Sequence, residues 1–394
     1  MNKRIEKLDN FGRGITYIDD KIAFVPNALD GELIDLERLE EHKKYIICKN
    51  NRVLDKSTER EENVCPYFLK CGGCNIFHMK EEKELEFKKM RAKDLLLHYA
   101  GISIKDIDVS FSKFLGYRNK ITLRVENGKL GLLEEESNNI VFIDKCLIAD
   151  KKINEEISIL RFLIKDEDIN KIVIRTGDGI MLSLYGNVKN IDKFKKICTS
   201  LYINDECITN KYITKELGSK KYHIRNKSFF QVNDEVAYLL YENIRALVSK
   251  IKPLNVLDLY CGVGSIGIYI ADCAKNVTGI EVENDAIKDA EENKRLNNIN
   301  NIRFINNKVE DSNINLDLYD LVIVDPPRRG LDNKTVNMLN DSNLKNIIYV
   351  SCDVITLGRD IKSFTNYDVI FIKIFNMFPR TYHFETLCLL EKNN

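Results

Sequence analysis

Asp258-Leu-Tyr-Cys-Gly-Val-Gly-Ser-Ile-Gly267 decides the fold of the C-terminal half of this 394-residue chain. The apolar run Asn255–Leu259 leads into it, and a helical pattern follows. Gly262 and Gly264 let the backbone turn tightly and approach a ligand. Downstream, strand and helix patterns alternate. Strands are predicted at Asn255–Leu259, Val277–Val282, Ile302–Ile305, Leu321–Val324, Ile347–Val350 and Val369–Ile374, with a helix at Asp285 to Leu296. Such alternation implies an α/β domain with a mostly parallel, doubly wound sheet, whose ligands sit at the carboxyl ends of the strands.

The second strand ends in Glu281, a carboxylate suited to the two hydroxyls of a ribose. The glycine spacing alone also fits a dinucleotide site, which would make the chain an NAD-dependent iron–sulfur oxidoreductase, or a plain turn with no ligand. Two features favour a sulfonium methyl donor, S-adenosylmethionine. Asp258 precedes the glycines, where it could meet a cationic amine, and the fourth strand ends in Asp325-Pro-Pro-Arg-Arg329, a stiff loop. The fifth strand runs into Ser351-Cys352, which puts a thiol on the same rim. A lone cysteine is usually a small core hydrophobe. At this place it suits another chemistry. Carbon 5 of uracil is too weak a nucleophile to take a methyl group unaided. A thiolate added at carbon 6 turns the ring into an enolate, and a base must later remove the carbon-5 proton. Glu385, in Met377-Phe-Pro-Arg-Thr-Tyr-His-Phe-Glu385, is the expected base. His383 shares its face if the segment is a strand, and would orient the base or contact RNA.

Residues 1 to about 57 carry short alternating runs punctuated at Asp19-Asp20 and Pro26-Asn27, the pattern of a small β-barrel, and the charged stretch Lys56 to Asn63 is the expected linker. A charged helix is predicted from about Met79 to Tyr99, followed by strands at Lys120 to Glu126, Asn139 to Ile143, Lys171 to Arg175 and Ile180 to Tyr185. Gly177-Asp178-Gly179 marks a hairpin between the last two. Gly116 to Arg124 sets cations beside Tyr117, as phosphate contact and base stacking require, although an ordinary strand with solvated cations has the same pattern.

Lys+Arg and Asp+Glu balance at 60 each, so any basic surface must be local. No secretory h-region and no membrane-spanning run is visible, which implies a cytoplasmic chain with reduced thiols and no membrane partner. A monomer is expected. Eleven cysteines then point to metal, cluster or catalysis. Cys65, Cys71 and Cys74 form C-x5-C-x2-C, which suits an iron–sulfur cluster or zinc. A fourth ligand is needed. Cys146 is preferred, with Cys48, His78, Cys198 and Cys207 competing.

Together these residues resemble the bacterial RNA 5-methyluridine methyltransferases, which act on tRNA or 23S ribosomal RNA. Gly12-Arg-Gly-Ile-Thr16 and Ala23 to Glu32 look like a TRAM domain, a small RNA-binding β-barrel. Ser228-Phe-Phe-Gln-Val-Asn233, Asp258 to Gly267, Asp325-Pro-Pro, Ser351-Cys352 and Met377 to Glu385 match the family's catalytic motifs. The resemblance implies a TRAM barrel at 1–57, a central α+β iron–sulfur and RNA-binding domain at 58–228, and a Rossmann-like class I methyltransferase domain at 229–394. It implies a [4Fe-4S] cluster on Cys65, Cys71, Cys74 and Cys146. It implies donor contacts from Gln231, Tyr260, Gly262, Ser265, Glu281 and Asp325, with Cys352 as nucleophile and Glu385 as proton acceptor. The cysteine loop and long central region resemble the 23S ribosomal RNA branch, with tRNA as the alternative. Members often carry Asn and then Pro after the nucleophile, and Asn at the position of Ser265. Here Asp353 and Val354 follow Cys352.

Overall fold

The structure, a computed structural model, describes residues 1–62 and 64–393. Asn63, the last residue of the expected linker, lies outside the described residues. The chain forms two compact units and enters each more than once. One contains Met1–Arg91, Gly131–Ile143 and Phe378–His383; the other contains Ala92–Leu130, Asp144–Met377 and Phe384–Asn394. The boundaries expected at 57 and 228 do not coincide with these units.

In the first unit, six strands pair in the order Asn2–Arg4, Leu33–Glu41, Tyr45–Asp55, Lys21–Val25, Gly14–Ile18, Lys7–Leu8. The two outermost are consecutive pieces of one run. Between them the Ile5 amide bonds to Glu32 and the Glu6 amide to Ile15, so the hydrogen-bonded circuit returns on itself. Asp19 and Asp20 both take positive φ (50° and 61°), the turn that matches the twist of a tight hairpin. Alternate residues point inward, and Ile5, Ile18, Val25, Ile34, Leu36 and Ile46 make the core.

The second unit carries the catalytic sheet. Its strands lie in the order Ile302–Asn306, Asn276–Glu281, Asn255–Leu259, Leu321–Val324, Asn346–Ser351, Glu385–Lys392, Tyr367–Phe375, Asp108–Ser110. The first five are mutually parallel, and Glu385–Lys392 runs antiparallel to both its neighbours. Leu257, Val322, Ile347 and their neighbours are fully buried because helices cover both faces, which is why these strands are near-continuous apolar runs. The strand order reverses between Asn255–Leu259 and Leu321–Val324. Connections there leave in opposite directions and open a crevice at the carboxyl ends.

A separate sheet in this unit includes Lys120–Glu126, Asp168–Thr176, Ile180–Asn187 and Ser200–Ile203. Gly177 to Gly179 turn the hairpin, as expected. The helix Lys151–Leu163, capped by Asp150 accepting from the Ile153 amide, packs against it. The sequence reading passed over this helix. Among the described residues no helix is long and apolar enough to cross a membrane.

Candidate active site

The glycine turn is built by the backbone it must reverse. Tyr260 takes φ 62°, Gly262 53° and Gly264 76°. At Gly264 a Cβ would stand 2.6 Å from the Phe304 ring, so glycine is required there by space as well as by φ. At Gly262 no atom lies within 4 Å of the equivalent point, which leaves the backbone open to a ligand. A cleft of about 530 Å³ adjoins it, lined by Gly262, Val263, Glu281, Ala286 and Phe229 among others.

Glu281 ends the neighbouring strand. Its carboxylate accepts from the Gly262 amide at 3.1 Å and the Glu283 amide at 2.9 Å, which fixes it on the rim. Asp258 is fully buried. Its Oδ2 accepts from the Gly267 amide at 2.9 Å, while Oδ1 has no partner. Burial pushes its carboxyl up to about 8, opposed by the Gly267 bond. An orphaned buried oxygen is costly unless a ligand donates to it. Tyr241 donates to the Ser265 hydroxyl at 2.9 Å, and Tyr222 to the Ser265 carbonyl at 3.0 Å. Sequence reasoning missed this tyrosine pair. Gln231 is 5% exposed and its carbonyl is held by Asn119 Nδ2 at 3.0 Å.

Cys352 follows the strand Asn346–Ser351, half-buried. Asp353, where the family often has Asn, caps the next helix by accepting from the Ile355 and Thr356 amides at 2.9 and 3.0 Å. Strand register brings the base segment alongside: Ser351 pairs with Thr386, and Glu385 with Phe375. Burial, then the charges of Glu385 and Asp325, push the Cys352 thiol up to about 12, while Arg328 favours the thiolate. Burial and Asp325 push Glu385 up to about 8, again against Arg328. Burial raises half-buried Asp325 to about 7. One thiol, two carboxyls and one cation thus act on each other at the crevice.

The loop after Asp325 is held from behind by residues the sequence did not single out. Arg359 Nη2 donates to the Arg329 carbonyl at 2.9 Å. Asp360 Oδ2 accepts from the Leu331 amide at 2.8 Å and from the Tyr349 hydroxyl at 2.7 Å.

Three expectations are corrected. His383 and Glu385 do not share a strand face, because the strand begins at Glu385; the apolar run there starts two residues too late for His383. Tyr117 is 3% exposed and so cannot stack a base. Of its neighbours, Lys120 is pushed down to about 8 by burial and by Arg175 and Arg118. Arg175 itself is buried on the Arg225 and Ser228 carbonyls.

Cys65, Cys71 and Cys74 lie in the first unit, half-buried and free of disulfides. The loop is tightened by the Phe68 amide on the Cys65 carbonyl and the Cys71 amide on the Tyr67 carbonyl, both 2.9 Å. Gly72 is needed for close approach: a Cβ there would lie 3.0 Å from Glu135 Cα. Cys146, in the second unit, has its amide on Asn154 Oδ1 at 2.8 Å. Among the competing ligands, Cys48 is in the N-terminal core and His78 is fully buried, pushed down to about 3 by burial. Among the described residues no three His, Cys, Asp or Glu side chains converge as a metal site.

The family described as tRNA (Uracil-5-)-methyltransferase matches residues 195–393. An RNA methyltransferase of Clostridium acetobutylicum is 31% identical over 98% of this chain and 96% of its own length. One of Aquifex aeolicus is 30% identical over 98% of this chain and 97% of its own. The crystal structure of Pyrococcus abyssi tRNA (uracil-54, C5)-methyltransferase, in complex with S-adenosyl-L-homocysteine, superposes with a TM-score of 0.83. It is 28% identical, with 99% of this chain and 100% of that one covered. With half its length matched by one family and relatives aligned nearly end to end, this chain belongs to the tRNA (uracil-5-)-methyltransferase family.

Proposed function

We propose that this chain methylates carbon 5 of a uridine in RNA, using S-adenosylmethionine, with Cys352 as covalent nucleophile and Glu385 as proton acceptor. The observation that carries the reading is the meeting of Cys352, Glu385, Asp325 and Arg328 beside the glycine turn. The donor-side residues fit the methyl donor: Asp258 Oδ1 is an unpartnered acceptor and the backbone at Gly262 is open. Gln231, Tyr260, Gly262, Ser265, Glu281 and Asp325 would hold the donor, which supplies an electrophilic methyl group.

The chain's own steps follow from that arrangement. The Cys352 thiol loses its proton, aided by Arg328, and its sulfur bonds to carbon 6 of the uracil. The displaced π electrons make carbon 5 nucleophilic, and carbon 5 takes the methyl. Glu385 then removes the carbon-5 proton, the carbon 5–carbon 6 double bond re-forms, and the carbon–sulfur bond breaks to release the thiolate. With 5-fluorouridine in the RNA no proton is available for that last step. The expected product is a denaturant-resistant protein–RNA adduct through Cys352. Absence of the adduct, with normal RNA still methylated, overturns attack at carbon 6.

The N-terminal sheet is proposed as a TRAM-type RNA-binding module. Cys65, Cys71, Cys74 and Cys146 are proposed as [4Fe-4S] ligands that hold the RNA-gripping part of the fold. The support is three free thiols within ten residues together with the family resemblance. These features favour 23S ribosomal RNA. The Pyrococcus abyssi protein's action on tRNA supports transfer RNA as the second reading. Mapping 5-methyluridine in both RNAs from cells with and without the protein decides between them.

A further inference from the structure

Within the second unit, and apart from the crevice, a pocket of about 380 Å³ opens beside the helix Lys151–Leu163, where the strand Ile180–Asn187 begins. That volume lies in the range of small-molecule sites. Glu156 lines the pocket and is only 7% exposed, and its Oε2 is sealed from solvent without a partner. Burial, with Glu155 adding, pushes the carboxyl up to about 7. Cys198, also in the lining, donates to the Phe194 carbonyl at 3.1 Å, so its hydrogen is spent there. Lys152 and Lys196 complete the charged lining, and among the described residues neither is ion-paired. Lys152 is steadied by the Gly177 carbonyl at 3.3 Å.

This combination excludes simple ligands. A free amine or polyamine would suit Glu156 but would be repelled by the two lysines. A bare phosphate would suit the lysines but would be repelled by Glu156. What satisfies both is a group with two adjacent N–H donors on a rigid edge and a phosphate a few bonds away. Among unpaired nucleotides, guanosine alone offers two such donors to one carboxylate, from N1 and N2; adenine and cytosine offer one donor beside an acceptor. We infer that this pocket takes an unpaired guanosine of the RNA substrate, with Glu156 accepting from N1–H and N2–H and Lys152 and Lys196 meeting its phosphates. The inference rests on the RNA-methyltransferase reading and adds to it a second point of contact, one that selects sequence.

The test titrates the full-length protein with guanosine, adenosine and cytidine 5′-monophosphates at pH 8, where Glu156 is mostly ionised. The guanosine nucleotide should bind about tenfold tighter than the other two, as a bidentate pair discriminates. Glu156→Gln should erase that preference, and Lys196→Ala should weaken all three alike. In methyl-transfer assays Glu156→Gln should raise KM for RNA and leave kcat unchanged. Equal binding of the three nucleotides, no binding, or a guanosine preference intact in Glu156→Gln each overturns the assignment. If the wild-type protein methylates no RNA while the Glu156-dependent preference persists, the pocket stands and the proposed function falls.

Discussion

Replacing Glu385 by glutamine should separate the two halves of the reaction. Glu385 is 3% exposed, at the start of a strand whose register is set on both sides. Its carboxyl titrates at about 8, so at neutral pH it is largely protonated in the free protein and nearly isosteric with the amide. The fold should therefore tolerate the change within about 1 kcal/mol. The amide cannot accept the carbon-5 proton. Methyl transfer to the thiol-bound ring should proceed while elimination slows by about 10²–10⁴-fold, the usual contribution of a positioned base. The assay is rapid quench with labelled donor and RNA, followed by denaturing gels. The wild-type protein should show a transient adduct, whereas Glu385→Gln should accumulate a labelled, persistent one. In the wild-type protein, adduct decay should quicken about tenfold between pH 7 and pH 9. Over that span the ionised share of such a carboxyl rises from about one-tenth to about nine-tenths. The variant should show no such rise. A Glu385→Gln protein that turns over at the wild-type rate with no adduct would refute the assignment of Glu385 as base.

Folding stability should fall from pH 6.5 to pH 8 in the ligand-free protein. Asp258, Asp325 and Glu385 are held at about 8, 7 and 8, above their unfolded values near 4, so the folded state binds the extra protons and loses that advantage as they leave. His78, depressed to about 3, has the opposite sign but acts only below its unfolded value of about 6.5. A melting temperature that is flat or rising across this window contradicts the burial of the three acids, and a cationic methyl donor should raise it more at pH 8 than at pH 6. Gly264→Ala forces a Cβ to 2.6 Å from Phe304 at φ 76°, which should cost about 1–3 kcal/mol and weaken donor binding, read by chemical denaturation and calorimetry. Cys71→Ser in anaerobically purified protein should lower bound iron and sulfide together. Unchanged iron would remove Cys71 from the ligand set.

The catalytic sheet was legible because a strand buried on both faces must be apolar throughout. Asn255–Leu259, Leu321–Val324 and the helix near Asp285 to Leu296 therefore show in composition and period alone. Gly262, Gly264 and Cys352 were legible for a related reason: a ligand at a strand end demands residue types that a plain turn does not. What a single sequence does not encode locally is who answers a polar group across the fold. Tyr241 on Ser265, Tyr349 and Arg359 around Asp360, and the lone buried oxygens of Asp258 and Glu156 come from partners 8 to 24 or more residues away, or from none at all. Burial is the other quantity only the tertiary structure decided. It took Tyr117 out of contact with solvent and raised Cys352 and Glu385, because the free energy of a charge depends on the water and ions around it and not on the residues beside it in the chain.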